Sequence, residues 1–285
     1  MTHKVIAMDT NKLLHVMTVD AEDWHHGLGR VANGIPRDLG HFRVSMDLLL
    51  DLFDKHDTKA TIFFVASLAR SCPDTVMKAK ARGHEIGNHS LMHIHPSTQT
   101  EKQFLSEIRE SKNMLEDILG DRVESFRAPW LELHKMRYPV LDILVNNGYL
   151  YDSSDSRLTS LEPWKLPVDR VSCLYHVPVT RLPFFNFSYP AGGGYLRIFP
   201  QAMVWHAMQI LCHRNVPMTI YIHPYDINAD HPRLPKLFFE TLKRNIGRDC
   251  FLNKLDFMLL QMDFTTIKNA VAYYENINSI KANGT

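Results

Sequence analysis

The chain has 285 residues, of which 45% are hydrophobic and 22% are charged, and its formal net charge at pH 7 is +1. This composition is that of an ordinary soluble globular protein with one large domain or two small ones. The balanced charge gives no electrostatic attraction to nucleic acid or to an anionic membrane, so we expect a small or neutral binding partner.

Short apolar runs alternate with amphipathic stretches along the chain. Strands are predicted at residues 13–20, 59–66, 83–88, 123–129, 149–153, 218–223 and 264–267. Helices are predicted at residues 42–56, 73–82, 100–119, 135–147, 200–214, 235–246, 251–261 and 268–276. Prolines interrupt residues 154–198, which are predicted to form a functional loop or a small β excursion, and the tail from residue 278 is predicted to be loose.

The alternation of strands and helices predicts a single α/β domain over residues 1–285, with a parallel sheet and right-handed crossovers. Seven or so βα units in this length favour a barrel over an open sheet. In a parallel barrel the carboxyl ends of all strands open on one face, where the loops build an active site.

The cysteines and the N-terminus bear on location. Cys72, Cys173, Cys212 and Cys250 are far apart and form no CxxC pair, which is typical of reduced thiols. The first 14 residues contain no secretory leader pattern, and no run approaches the roughly 18 apolar residues of a membrane helix. We therefore expect a cytoplasmic protein with no transmembrane segment, while a peripheral membrane contact stays open.

Two histidines follow the third predicted strand. His89 and His93 are four residues apart, so in one helical turn their imidazoles project from the same face. Two imidazoles on one face are a common start of a divalent metal site. The spacing alone is equally compatible with a polar loop.

Three acidic residues follow the first predicted strand. Asp20 and Glu22 lie on one face if the strand continues, because side chains alternate. Three carboxylates this close repel one another unless a cation lies among them, and a metal would supply that charge. The alternative is a helix N-cap or a solvated turn, which is the better interpretation for Asp23.

Other polar residues also stand at predicted strand ends. Arg127 is expected to form a buried bidentate pair with a carboxylate rather than a surface salt bridge. Trp130 is either a core residue or a flat wall for a sugar ring. His223 is a candidate general acid, with Asp152 or Asp155 orienting its imidazole. The remaining histidines, including His25, His26, His95 and His231, are expected at the surface.

Taken together, these residues resemble the polysaccharide deacetylase family over about residues 16–264. Residues 89–93 (HSLMH) match its H-[ST]-x-x-H metal motif, and residues 126–130 (FRAPW) match its R-x-P-aromatic motif. His223 stands where the family has a histidine at the end of a late strand. The resemblance implies a distorted (β/α)7 barrel.

One motif departs from the commonest family pattern. Many members read T-F-D-D-G, where the second Asp binds the metal, but Ala21 occupies that position here. Residues 20–24 (DAEDW) are more similar to an intracellular branch associated with exopolysaccharide biosynthesis, in which the ligand comes one residue later. Residues 151–154 (YDSS) and 190–195 (PAGGGY) are also similar to that branch. Glu22 is therefore the expected third ligand, and Asp23 is the alternative.

The resemblance implies metal-dependent removal of an N-acyl group, N-acetyl first, from an amino sugar in a polysaccharide or a nucleotide- or lipid-linked precursor. Zn²⁺ is the expected metal, with Co²⁺, Mn²⁺ or Ni²⁺ as alternatives. The implied metal ligands are Glu22, His89 and His93. The implied catalytic residues are Asp20 as base, Arg127 as its partner, His223 as acid and Asp152 as its support. The implied substrate-binding residues are Trp130, whose backbone N–H would also stabilise the oxyanion, Gly193 and Tyr195.

Two rival functions belong to other classes. One is a metal-dependent barrel hydrolase acting on a formamide or a cyclic amide; the HxH pair of His93 and His95 is the ligand pattern of amidohydrolase barrels, but there it follows the first strand. The other is a non-catalytic sugar-binding relative. The presence of a base, two histidine ligands and an acid argues against the second.

Overall fold

The structure is a computed structural model that describes residues 13–26, 39–133, 139–156, 174–228 and 246–283. Residues 235–245 of the helix predicted at residues 235–246 lie outside the described residues, as does His231. The strands are β1 (His15–Ala21), β2 (Thr61–Phe64), β3 (Glu85–Asn88), β4 (Ser125–Phe126), β5 (Tyr151–Asp152), β6 (Tyr175–His176), β7 (Arg181–Phe184), β8 (Phe187–Pro190), β9 (Thr219–Ile222) and β10 (Phe264–Thr265). The helices are α1 (Leu39–Lys55), α2 (Ala66–Ser71), α3 (Pro73–Ala81), α4 (Glu101–Leu119), α5 (Val140–Asn146), α6 (Gly193–Ile198), α7 (Gln201–His213), α8 (Arg248–Gln261) and α9 (Ile267–Asn283).

The parallel sheet is centred on β1, all seven residues of which are buried. On one side β1 pairs with β2, and the sheet continues through β3, β4 and β5 to β6. Along its opposite edge β1 pairs with β9 at residues Val16–Val19, and β10 pairs with His15 and Val16 at the start of β1. Both faces of β1 are covered, so its polar residues His15, Thr18 and Asp20 are buried along with its apolar ones.

The sheet curls until its two sides meet. After β6 the Thr180 N–H donates to the Thr219 carbonyl at 3.0 Å, and the Tyr221 N–H donates to the Ala191 carbonyl at 3.0 Å. These bonds connect the β6 side of the sheet to β9. The distorted (β/α)7 barrel predicted from the sequence is confirmed.

The register brings five strand ends to one level. Ala21 lies opposite Phe64, Phe64 opposite Asn88, Asn88 opposite Phe126, and Phe126 opposite Asp152. The residue after each of these therefore leaves the sheet at the same edge, which is the face on which a parallel barrel builds its site.

The structure decides the predicted alternatives for residues 174–198 and changes the prediction for the tail. Within residues 174–198 the structure has β6, the antiparallel β7–β8 hairpin and α6, so the small β excursion is the correct alternative there. The last helix continues to residue 283, so the prediction of a loose tail from residue 278 is wrong for residues 278–283. None of the described helices is long and apolar enough to cross a membrane.

Candidate metal and acid–base site

Asp20 and Arg127 form a buried ion pair at the centre of the site. Asp20 lies near the end of β1 and Arg127 directly follows β4. The Arg127 Nη1 donates to Asp20 Oδ1 and to Thr18 Oγ1, both at 2.7 Å. Its Nε donates to the Ser153 carbonyl at 3.0 Å and its Nη2 to Ser153 Oγ at 2.7 Å, while the guanidinium lies 4.5 Å from the Phe63 ring centroid. This network holds the Asp20 carboxylate in one orientation, because the rigid guanidinium is bonded from several sides.

Glu22, His89 and His93 form a compact group of buried ligand atoms. One nitrogen or oxygen of each lies within 4.8 Å of the others. The Glu22 Oε2 and His93 Nε2 atoms are 2.5 Å apart, yet among the described residues the Glu22 Oε2 has no partner in hydrogen-bond geometry. Two imidazoles and one carboxylate suit a divalent metal that keeps a position open for substrate, so these residues fit such an ion.

The tautomer of His89 is set by its outer contact. Its Nδ1 lies 2.8 Å from the Arg127 carbonyl oxygen, which can only accept, so Nδ1 carries the proton. The Nε2 lone pair then faces the group, which is the arrangement that outer hydrogen bonds impose on metal-binding histidines. Arg127 thus contacts both halves of the site, through its side chain to Asp20 and through its carbonyl to His89.

The charge states also suit metal binding. Burial alone would raise the pKa of the Glu22 carboxyl, but the neighbouring imidazoles of His93, His223 and His89 hold it well below its usual range. Burial, reinforced by His93, lowers the pKa of His89 to about 4 against the opposing effect of Asp20 and Glu22. An anionic carboxylate and a neutral imidazole are the forms that bind metal.

The predicted helical turn at His89 and His93 is wrong. Ser90 and His93 have φ values of 71° and 55°, and the segment is a loop. The His93 N–H donates to Ser90 Oγ at 3.0 Å, and the carboxylate of Glu107 accepts from the N–H groups of Leu91 and Met92. Side-chain acceptors replace the helical hydrogen bonds, and the two rings still lie 5.1 Å apart.

Asp23, the alternative ligand, points into its own loop. Its Oδ1 accepts from the Trp24 N–H at 2.7 Å, and its Oδ2 lies 2.8 Å from His25 Nδ1. The group of ligand atoms found among the described residues does not include it.

His25 is buried and the ring of His26 lies 5.6 Å from that of His93, so the expectation that these two histidines are surface residues is wrong.

His223 is paired with Asp226, and the predicted pairing with Asp152 or Asp155 is wrong. The His223 Nδ1 lies 2.9 Å from Asp226 Oδ2, which also accepts from the His223 N–H at 2.9 Å. The 3₁₀ turn at Pro224–Asp226 brings this carboxylate back onto the imidazole that precedes it. Asp152 instead lies 2.8 Å from His176 Nδ1 and accepts from Ser154 Oγ.

The environment of His223 favours the protonated imidazole. Burial would lower its pKa, but Asp226, with smaller effects of Glu22 and Asp20, raises it to about 9. The His223 Nε2 lies 3.5 Å from Glu22 Oε1, so the acid candidate borders the ligand group directly.

Tyr225 contacts both His223 and the ligand group, and it was not predicted from the sequence. Its ring stacks on that of His223 at 4.6 Å and 10°, and its hydroxyl donates to Glu22 Oε1 at 3.0 Å. Arg197, also missed, donates from Nε to Asp226 Oδ1 at 2.9 Å. The signal for Asp226 and Tyr225 was the sequence H-P-Y-D, in which Pro at the first position favours a tight turn.

Gly193 lies against Asp226. A Cβ built on Gly193 would stand 1.8 Å from Asp226 Oδ2, and one on Gly192 would stand 2.2 Å from the Tyr221 ring. These glycines thus permit a close approach to the barrel's own side chains, and the predicted contact of Gly193 with the sugar stays a prediction.

Two predicted substrate-binding residues have half-exposed rings, and one of them, Trp130, borders the ligand group. Trp130, 46% exposed, lies 5.6 Å from the His93 ring and stacks on His95 at 5.7 Å. Its φ is 66° and that of Leu131 is 54°, which turns the backbone sharply beside the ligand group. Tyr195, 44% exposed, belongs to α6 and stacks on Phe199 at 6.3 Å. Both rings offer a flat surface to solvent.

Two family models match successive parts of the chain. Residues 38–149 match the family model for polysaccharide deacetylase, and residues 155–272 match a domain of unknown function, DUF3473. The chain is 27% identical over 126 residues to a peptidoglycan-N-acetylglucosamine deacetylase of Bacillus cereus, an alignment that covers 42% of this chain and 44% of that protein. The chain thus spans less than half the length of this curated relative.

Solved structures share the fold. A crystal structure of a putative polysaccharide deacetylase from Mycobacterium smegmatis has a TM-score of 0.65 and 17% identity, with 97% of this chain and 94% of that chain covered. Puue allantoinase has a TM-score of 0.62 and 16% identity, with 94% and 92% covered. At these identities the likeness concerns the fold alone.

Proposed function

We propose that this chain, which belongs to the polysaccharide deacetylase family, is a metal-dependent hydrolase that removes an N-acyl group, with acetyl as our first choice, from an amino sugar. The observation that supports this most is the position of Glu22, which lies 2.5 Å from the His93 imidazole and 3.5 Å from the His223 imidazole. The Glu22 carboxylate thus lies beside both a histidine of the ligand group and the protonated acid candidate. Amide hydrolysis needs both, because the carbonyl must be polarised and the leaving amine must be protonated.

The metal would be held by Glu22, His89 and His93, which are all buried and close together. Zn²⁺ is the metal we propose first, since two imidazoles and a carboxylate match its preferred ligands; Co²⁺, Mn²⁺ or Ni²⁺ are alternatives. When bound, the ion supplies Lewis acidity toward the attacking water and the amide carbonyl.

Asp20 acts as the general base in this proposal. It takes a proton from the water that attacks the amide carbonyl, and the Arg127 guanidinium at 2.7 Å keeps its carboxylate oriented. The same guanidinium is fixed by Ser153 and Thr18, so the base is held on strand ends rather than on a mobile loop.

His223 acts as the general acid. It gives a proton to the nitrogen of the departing amino sugar, and Asp226 stabilises its imidazolium form before that transfer. Arg197 in turn donates to the other carboxylate oxygen of Asp226. By analogy with the family, the Trp130 N–H stabilises the developing oxyanion, and the half-exposed rings of Trp130 and Tyr195 pack against the sugar.

The substrate class we propose is an N-acylated amino sugar in an oligosaccharide or in a nucleotide- or lipid-linked precursor, and the location we propose is the cytoplasm. The described cysteines, Cys72, Cys212 and Cys250, are free thiols, which supports a reducing compartment.

The test is product identification on metal-replete protein. A panel of N-acetylated, N-formylated and cyclic amides is incubated with protein that is Zn²⁺-loaded or treated with a chelator, and acetate, formate and ammonia are quantified with the sugar masses. We expect acetate and a free amino sugar, abolished by chelation and restored by divalent metal. Release of formate or ammonia alone, or glycan binding without turnover, would contradict the proposal.

A further inference from the structure

The β7–β8 hairpin carries a bulky apolar residue at its turn. Phe184 pairs with Phe187, so the turn consists of Phe185 and Asn186. Phe185 has a φ of 46° at the first turn position, where a two-residue hairpin turn with positive φ favours glycine. Its side chain is 92% exposed. The residue is therefore unfavourable for the fold both in its backbone and in its exposed ring, which points to a role outside the fold.

Other apolar groups continue this surface. Phe187 is 55% exposed and its ring lies 4.8 Å from that of Phe184. Phe184 in turn stacks on Phe199 at 5.8 Å, next to Ile198, which is 45% exposed. We call Phe185 and Phe187 the hairpin tip. The tip is a small convex projection that rests on a base of packed aromatic rings.

We propose that the hairpin tip inserts into the interfacial region of a lipid bilayer. A stable protein interface needs about 800 Å² on each partner, more than a two-residue turn presents. Phenyl rings have no hydroxyl or indole N–H for a polar partner, so hydrocarbon suits them better than a glycan does. A convex tip of this kind enters a fluid surface without requiring a matching groove.

Arg181 gives the hairpin a cation at its base. Its Nε donates to Ser188 Oγ at 3.0 Å and its Nη2 donates to the Ser188 carbonyl, across the two strands. A guanidinium behind an apolar tip lies where lipid phosphates are found when the tip is inserted. The net charge of the chain is only +1, so we expect apolar insertion rather than long-range attraction to dominate binding.

The tip is linked to the candidate site through one wall of the barrel. Phe199 stacks on Tyr195 at 6.3 Å, and Tyr195 lies in the same short helix as Gly193, which abuts Asp226. An inserted tip would hold this wall against the lipid surface. The proposal does not rest on deacetylase activity, because binding to lipid needs no substrate.

The test is co-sedimentation of the full chain with vesicles of phosphatidylcholine and phosphatidylglycerol. Wild-type protein is compared with Phe185→Ser/Phe187→Ser and with Leu260→Ser, a matched control that removes a side chain 67% exposed on α8. We expect wild type and control to bind equally, and the double variant to lose at least about tenfold in partition coefficient. A Phe185→Trp variant should show a blue-shifted emission that brominated lipids quench.

A second variant separates binding from folding. Phe185→Gly removes the ring but suits the positive φ, so its Tm should equal or exceed that of wild type while its partition coefficient falls. The proposal is overturned if wild type does not bind vesicles, or if the double variant binds as wild type does. It is equally overturned if the substitutions leave vesicle binding intact and instead abolish self-association or turnover of soluble oligosaccharides.

Discussion

Asp226 accepts hydrogen bonds from both the backbone N–H and the imidazole Nδ1 of His223, each at 2.9 Å. A residue three positions away thus fixes the ring and its protonation state at the same time. This pair replaces the Asp152–His223 pair expected from the sequence, and it determines how the acid half of the site can be tested.

Replacing Asp226 should impair the acid without removing the metal. In Asp226→Asn the imidazolium loses its counter-charge, so the pKa of His223 should fall and kcat should decrease by about 10- to 100-fold near neutral pH. The high-pH limb of the kcat profile should move to lower pH, with metal content unchanged. Asp256→Asn, a surface change near Lys55 and His56, is the control. Normal turnover in Asp226→Asn together with loss of turnover in Asp152→Asn would restore the original assignment.

Two adjacent glycines give a sharper test of the same contact. The Cβ of Gly193→Ala would stand 1.8 Å from Asp226 Oδ2, whereas the Cβ of Gly194→Ala would meet nothing within 4 Å. Because the carboxylate must move, Gly193→Ala should lower kcat at least about tenfold and reduce the free energy of unfolding by about 1–3 kcal/mol. Gly194→Ala should change neither by much. An effect of Gly193→Ala on KM alone would instead support the predicted contact with the sugar.

The pKa of His223 makes the stability of metal-free protein depend on pH. Since the folded-state pKa of about 9 exceeds the unfolded value of about 6.5, protonation of His223 stabilises the folded state fully below pH 6.5. That contribution is lost as the pH rises through about 9. In the presence of chelator, urea unfolding near pH 6 and near pH 10 should show wild type losing up to about 3 kcal/mol more than His223→Gln. Equal losses in the two proteins would show that the Asp226 contact does not raise the pKa.

The sequence predicted the architecture well because strand ends in a parallel barrel are constrained by topology. Glu22, His89 and Arg127 each follow an apolar strand, and the register brings those strand ends to one level. Once the strands were predicted correctly, the proximity of these residues followed from the topology. Their catalytic roles stay predictions.

What the sequence did not predict depends on local turns. The loop at His89–His93 forms because Ser90 and Glu107 accept backbone hydrogen bonds, which spacing alone does not reveal. Asp226 meets His223 only because a 3₁₀ turn follows β9. The burial of His25 likewise depends on its contact with Asp23 within a short loop. In each case a side chain forms a hydrogen bond to backbone N–H groups or to a residue two or three positions away. The spacing of apolar residues does not predict such hydrogen bonds.

The most direct measurement compares metal content and turnover in Asp20→Asn and Glu22→Gln. In the proposed mechanism Asp20 transfers a proton and Glu22 binds the metal, although only one residue separates them. Asp20→Asn should retain the metal content of wild type by elemental mass spectrometry while deacetylation slows by about 10²- to 10⁴-fold. Glu22→Gln should lose both metal and turnover. Full turnover in Asp20→Asn, or loss of its metal while Glu22→Gln keeps the ion, would contradict the account.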